Sequence, residues 1–197
     1  MERTTKDRIL DEALVMFAEH GYKGTNLRDL AARLELSKSA LYKHYESKED
    51  IWNALLDKME AYYAQRFGSI DNLPPTPDSW EAFKQMMMGM INFTVHDPQI
   101  ILTRKLLTTE QFHDARVCKL ATKHFLEGTA NIYAKVFEGM MENGLLKKQD
   151  PAMLAFSFTA PISALIHLCD REPVSHDEAL GRMADYVRYF ISIHAAQ

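Results

Sequence analysis

An all-α fold follows from three features of this chain of 197 residues. Apolar residues recur at the helical period of about 3.6 along almost its whole length, and strand-like alternation never persists for more than a few residues. Helix ends are marked by residues suited to them, with hydroxyl, Asn or Asp caps before apolar stripes and glycine or proline after them. Apolar residues make up 47% and charged residues 25%, a balance that supports a packed core rather than disorder. The layout expected is a three-helix head (1–47), a long connecting helix (48–67), a linker (68–79) and a larger helical body (80–197), about nine helices in all.

In "TTKDRILDEALVMFAEHG", Thr4 or Thr5 supplies a cap, Ile9, Leu10, Ala13, Leu14 and Phe17 form the buried stripe, and Gly21 ends it. "NLRDLAARL" is a helix of about two turns, capped by Asn26 with Asp29 as a capping-box partner. A break follows at Glu35 and Leu36. Ser37 then caps a third helix from Lys38 to His44, with Leu41 facing inward. Ser47 leads the connecting helix. "GSIDNLPPTPDS" holds three prolines close together and cannot be helix interior, so it is the linker.

Further helices are expected at about 80–96, from Pro98, at about 116–143, from Pro151 to about 170, and at about 176–195. Pro98 and Pro151 suit a first helical turn. Asn143–Gly144 is a C-cap pair, and Ser175 is the expected cap of the last helix. No run approaching the ~20 apolar residues of a membrane span, and no basic-then-apolar leader, is read in the sequence, so a cytoplasmic protein is expected.

Two short helices separated by a tight break form a helix-turn-helix pattern. The second helix of such a pair lays its N-terminal side chains in the major groove of DNA. The outward residues here suit that role. Ser37 and Ser39 can bond base edges or phosphate, Lys38 and Lys43 can neutralise phosphate or reach guanine, and the Tyr42 hydroxyl can meet a phosphate. Lys48 opens the next helix, where its charge opposes the helix dipole. The net charge of −4 does not favour nucleic acid, but residues 22–48 hold six Lys/Arg against three Asp/Glu.

Residues 8–55, in "RILDEALVMFAEHGYKGTNLRDLAARL" and "LSKSALYKHYESKEDIWNALL", resemble the N-terminal domain of the TetR family of transcriptional regulators. The resemblance implies that Asn26, Tyr42, His44 and Lys48 position the DNA backbone. It also implies that Arg28, Ser37, Lys38, Ser39 and Lys43 lie in or beside the major groove, with Leu41 and Tyr45 in the core. The chain departs from the family pattern at Glu35 and Ser39, where glycine is frequent. A left-handed backbone at Glu35 costs a non-glycine residue ~1 kcal/mol or more.

The helix "WEAFKQMMMGMINFTVH" is apolar nearly all round and is expected to be buried on all sides, with methionines able to re-pack around a ligand. The resemblance implies an inducer pocket in this body. Candidate lining residues are Met86, Met87, Met90, Phe93, Phe125, Tyr133, Phe137, Phe158 and Ile162, with His124 and His167 as polar handles. The last two helices carry apolar residues on more than one face, so a homodimer is expected through Met153, Phe156, Ala160, Ala164, Leu180, Met183, Val187 and Phe190. No phosphate loop, nucleophile elbow or metal-ligand spacing occurs, so neither catalysis nor a cofactor nor a metal is expected. The function implied is a dimeric repressor that binds a palindromic double-stranded DNA operator and is released by a small apolar or amphipathic effector. The alternatives are a dimeric regulator without an effector, and a helical interaction or ligand-carrying module that has lost DNA binding.

Overall fold

The computed structural model describes residues 4–69, 71–171 and 176–195. Among them are ten α-helices and no strand. They are α1 (Thr5–Gly24), α2 (Leu27–Arg33), α3 (Lys38–Tyr42), α4 (Lys48–Phe67), α5 (Trp80–His96), α6 (Pro98–Glu110), α7 (Ala115–Thr122), α8 (Gly128–Glu142), α9 (Pro151–Arg171) and α10 (His176–His194). A π-helical segment, Lys123–Glu127, runs between α7 and α8. Counted as one interrupted helix, α7 to α8 matches the continuous helix expected at 116–143 and restores the expected total of nine among the described residues. The expected cap Ser175 lies outside the described residues.

By internal packing the chain forms two units. The first takes in the chain to Tyr63 together with Leu102–Ala121; the second holds Ala64–Ile101 and the chain from Thr122 on.

In the first unit the core is the expected stripe of α1 with partners from the next three helices. Ile9, Ala13, Phe17, Leu30, Leu41, Ile51 and Leu56 are fully buried. The Phe17 and Trp52 rings meet edge to face at 5.0 Å. Thr4 and Asp7 complete a capping box at the start of α1.

In the second unit one phenylalanine from each of four helices meets at the centre: Phe83 (α5), Phe137 (α8), Phe158 (α9) and Phe190 (α10). Their ring centroids lie 4.5–5.8 Å apart for the pairs 158/190, 137/190, 83/158, 137/158 and 83/137. Such pairs add about 0.5–1.5 kcal/mol each beyond area burial.

Helix α5 is not buried on all sides as expected. Phe83, Met87, Ile91 and Val95 form its one buried face, while Met86, Met88 and Met90 are partly exposed and Gly89 is exposed. The other three helices of this core, α8, α9 and α10, cover one stripe of α5, so its other methionines are left at the boundary.

Pro161 stands inside α9, where it removes the hydrogen bond that the Ser157 carbonyl would accept. The Tyr186 hydroxyl of α10 donates to that carbonyl at 2.6 Å, so the vacancy is filled from the neighbouring helix. At the other end of α9, Lys147 N–H donates to the His194 carbonyl at 3.2 Å, tying the α8–α9 loop to the end of α10. The linker is seated rather than free. Thr76 lies where a side chain at Gly139 would stand, 2.7 Å from its ideal Cβ.

One sequence expectation is corrected here. Helix α9 spans 21 residues with a mean hydropathy of 1.7 over its most apolar stretch, long and apolar enough to cross a membrane. Its small residues and two prolines are spread among the large apolar ones, and its only charged residues are the last two, Asp170 and Arg171.

Candidate nucleic-acid interface

Helices α2 and α3 and the turn between them carry the site. Asn26 caps α2 with its side-chain oxygen, accepting from Arg28 N–H and Asp29 N–H at 3.0 Å each. Its amide also donates to the Asp29 carboxylate, so the capping-box partner bonds the Asn side chain.

The turn after α2 is a Schellman motif. Leu36 N–H donates to Ala31 C=O at 2.9 Å and Glu35 N–H to Ala32 C=O at 3.1 Å. This motif needs a left-handed residue, and Glu35 is that residue, with φ of 57°. The same motif ends α8, where Leu145 N–H reaches Met140 C=O at 2.9 Å and Gly144 N–H reaches Met141 C=O at 3.2 Å. There the left-handed position, with φ of 75°, is a glycine. The chain therefore uses a glutamate in the head where it uses a glycine in the body.

Ser37 caps α3 by accepting from Ala40 N–H at 3.1 Å, and its hydroxyl lies 3.0 Å from that of Ser39. Leu41 is fully buried beneath α3, and Tyr45 is half-buried with the Lys6 ammonium 5.5 Å from its ring centre. Burial raises the Tyr45 phenol above its ordinary range. The outward set is exposed as a group: Arg28, Ser37, Lys38, Ser39, Tyr42 and Lys43, with His44 half-buried. The Lys38 ammonium lies 5.6 Å from the Tyr42 ring centre.

Two cations of the basic window are not free. Arg33 bonds Glu12 at 2.8 Å and approaches Glu19 at 3.6 Å, which fixes α2 to α1. Lys48 is half-buried with its ammonium 4.4 Å over the Tyr22 ring, a cation–π interaction. Burial lowers the Lys48 pKa from its ordinary value, against the pull of the Glu110 carboxylate. Lys48, which the resemblance assigns to the DNA backbone, thus packs its ammonium on the Tyr22 ring.

Besides Gly21, the expected stop of α1, three residues that sequence reasoning missed act at the α1–α2 turn and beside it: Thr25 and Glu110 bond the turn, and Asp114 anchors Trp52. Gly21, with φ of 71°, kinks the end of α1 and frees backbone groups. The buried Thr25 hydroxyl lies 3.1 Å from Met16 C=O and 2.9 Å from Gly21 C=O. The Glu110 carboxylate at the end of α6 accepts from Tyr22 N–H at 3.1 Å. Asp114 accepts from the Trp52 indole N–H at 2.9 Å and from Arg116 N–H and Val117 N–H. Burial pushes the Asp114 carboxyl up, but these three donors and the Arg116 charge hold it below its ordinary value. Only the pairing of a hydroxyl with a glycine four residues earlier was visible in the sequence; nothing marked Glu110 or Asp114, about ninety residues away.

In the body, the expected pocket residues divide. Met87, Tyr133, Phe137, Phe158 and Ile162 are buried in the aromatic core. Burial drives the Tyr133 phenol far above its ordinary range. Met86, Met90, Phe93, His124, Phe125 and His167 are half-buried. Phe125, on the π-helical segment, meets His167 edge-on at 5.0 Å, and His167 faces Asp170 at 3.8 Å. The expected dimer residues also divide. Met153, Phe156 and Ala164 are exposed and Ala160 is half-buried. Met183, Val187 and Phe190 are instead buried in their own chain's core, and Leu180 packs against it, because α10 turns this stripe onto α5 and α9. The exposed large apolar residues of α10 are Tyr189 and Ile193.

Residues 9–55 match the family model of bacterial regulatory proteins, tetR family. The head is a helix-turn-helix domain of the TetR family. It is 38% identical over 58 residues to the icaADBC biofilm-operon negative transcriptional regulator IcaR of Staphylococcus epidermidis, over 29% of this chain and 31% of that one. The IcaR of Staphylococcus aureus strain Newman is 45% identical over 47 residues, 24% of this chain and 25% of that protein. The chain thus spans a quarter to a third of the length of the curated relatives it matches. A likeness in fold to solved structures extends over the whole chain. SmeT, the repressor of the Stenotrophomonas maltophilia multidrug efflux pump SmeDEF, superposes with a TM-score of 0.68 at 19% identity, covering 99% of this chain and 92% of that one. SmeT bound to triclosan gives 0.75 at 18% identity, covering 99% and 93%.

Proposed function

We propose that the chain is a TetR-type DNA-binding transcriptional regulator of the cytoplasm, a repressor that leaves a palindromic operator when a small apolar or amphipathic molecule binds its body. The observation that carries this reading is the exposed face of α3. Ser37, Lys38, Ser39, Tyr42 and Lys43 stand outward over a fully buried Leu41, on a head held rigid by caps at both ends of the turn. A face of hydroxyls and ammonium groups on a short helix fits phosphate positioning together with base reading.

Dimerisation is supported by Met153, Phe156, Tyr189 and Ile193, which are 43–65% exposed on α9 and α10. A second copy of the chain, pairing the two helices with their equivalents, would cover them. The effector reading is supported by the half-buried methionines of α5 and the Phe125–His167 pair. The chemistry of coupling is reciprocal: an effector that favours the conformation unsuited to DNA weakens DNA binding, and DNA weakens the effector by the same factor. A second reading, a dimeric regulator without an effector, is favoured by the close-packed phenylalanine core.

The test is fluorescence anisotropy with duplexes selected by the protein from a random library. Tyr42→Ala and Lys43→Ala should weaken binding across sequences, and Lys43→Ala should lower the salt slope by about 1 for each phosphate that Lys43 neutralises. Lys38→Ala and Ser39→Ala should change which sequences are preferred. Unchanged affinity and preference in all four would overturn the reading of the head.

A further inference from the structure

The turn that leads into the helix-turn-helix is not held by the head alone. Gly21 leaves α1 in a left-handed conformation, and the chain must reach Asn26, the cap of α2, within five residues. Inside the turn the Thr25 hydroxyl shares its one proton between the Gly21 and Met16 carbonyls, at 2.9 and 3.1 Å. The freed Tyr22 N–H is met from outside it, by Glu110, which is 9% exposed. The approach is close: a Cβ on Gly21 would stand 2.7 Å from Glu110 Oε1, so a side chain there would push the carboxylate aside, and the φ of 71° itself favours glycine.

The bonded Tyr22 carries the ring over which the Lys48 ammonium lies. The same ring is 5.0 Å from Trp52, which Asp114 anchors four residues beyond Glu110. All of these groups belong to the first unit, and Gly21, Tyr22, Trp52, Glu110 and Asp114 line one cleft of about 360 Å³. His20, Lys23 and His113 complete its lining.

We infer that Glu110 is a positioning residue for DNA binding. Its carboxylate holds the α1–α2 turn, and so the placement of Asn26 and of Lys48, without itself touching the duplex. The inference rests on the DNA-binding reading above, and the two are separable by experiment.

Full-length wild type, Glu110→Ala, Glu110→Gln and Glu110→Asp are compared by anisotropy on a library-selected duplex, and by hydrogen exchange at the Tyr22 amide. Glu110→Ala should lose about tenfold in affinity, the scale of one lost hydrogen bond to a charged group, with the salt slope and the active fraction unchanged. Glu110→Gln keeps an acceptor at the same place and should recover affinity to within about threefold of wild type. Tyr22 amide protection should be lost in the Ala variant and kept in the Gln variant. Glu110→Asp, one methylene short of Tyr22, should fold and bind several-fold more weakly, which decides the matter if the Ala variant does not fold. Wild-type affinity in Glu110→Ala or Glu110→Asp, or a lowered salt slope, would overturn the inference. If wild type itself binds no duplex, the DNA-binding reading fails, and the exchange data alone then show whether Glu110 sets the turn: protection of Tyr22 in Glu110→Ala would refute it.

Discussion

Replacing Glu35 with glycine should stabilise the head. Glu35 holds the left-handed position of a Schellman turn at φ of 57°, and its side chain is exposed, with no hydrogen bond or ion pair among the described residues. Holding an L-residue there costs about 1–2 kcal/mol. Glycine removes that cost but loses more backbone freedom on folding, which takes back roughly 0.5–1 kcal/mol. The net gain is about 0.5–1 kcal/mol, or a rise in Tm of about 1–4 °C for a chain of this size. The reciprocal change tests the same physics in the body. Gly144 occupies the equivalent position at φ of 75°, with nothing within 4 Å of an added Cβ. Gly144→Ala should therefore cost about 1 kcal/mol through the backbone alone. Both variants are followed by urea and thermal unfolding using far-ultraviolet circular dichroism. Loss of stability in Glu35→Gly, together with no loss in Gly144→Ala, would refute the assignment of strain to the two turns.

Three further outcomes are expected. Asp114→Asn keeps the cap on α7 but loses the charge that Trp52 and the backbone donors favour, and should cost about 1 kcal/mol near neutral pH. Because the folded carboxyl titrates below its ordinary 3.8, the wild-type advantage is complete above that pH and lost as pH falls through the folded value. Paired denaturation curves at pH 7 and pH 3 check this. Met153→Glu or Phe156→Glu should weaken self-association at least about thirtyfold, since a partly buried side chain of ~1 kcal/mol is lost twice across a two-fold interface and a charge is added; light scattering over a dilution series reads it. Tyr186→Phe leaves the Ser157 carbonyl without its donor at Pro161 and should cost about 0.5–1.5 kcal/mol in urea unfolding, water taking up part of the loss.

The sequence carried the local physics well and the long-range physics poorly. Caps at Thr4, Asn26, Ser37 and Ser47, and the stop at Asn143–Gly144, follow from backbone groups within a few residues, and the helices they bound stand where the periodicity places them. The left-handed backbone at Glu35 came from the resemblance instead, since glycine is frequent at that position of the family pattern. What was not legible depends on which apolar face meets which. Met183, Val187 and Phe190 share a stripe that fits a partner or a core equally well, and packing against Phe83 and Phe158 makes it core. Helix α5 carries more apolar residues than its neighbours can cover. Glu110 and Asp114 read as ordinary helix-end acids until folding brings them to Tyr22 and Trp52. Lys48 read as a free cation because nothing in the sequence placed the Tyr22 ring beneath it.

Salt-dependent anisotropy on a duplex selected from a random library tests the DNA-binding reading most directly. Wild type should bind with affinity falling steeply as salt rises, and Lys43→Ala should bind more weakly, with a slope shallower by about 1 for each phosphate that Lys43 neutralises. Binding to no duplex at low salt, or an affinity and slope in Lys43→Ala equal to those of wild type, would contradict it.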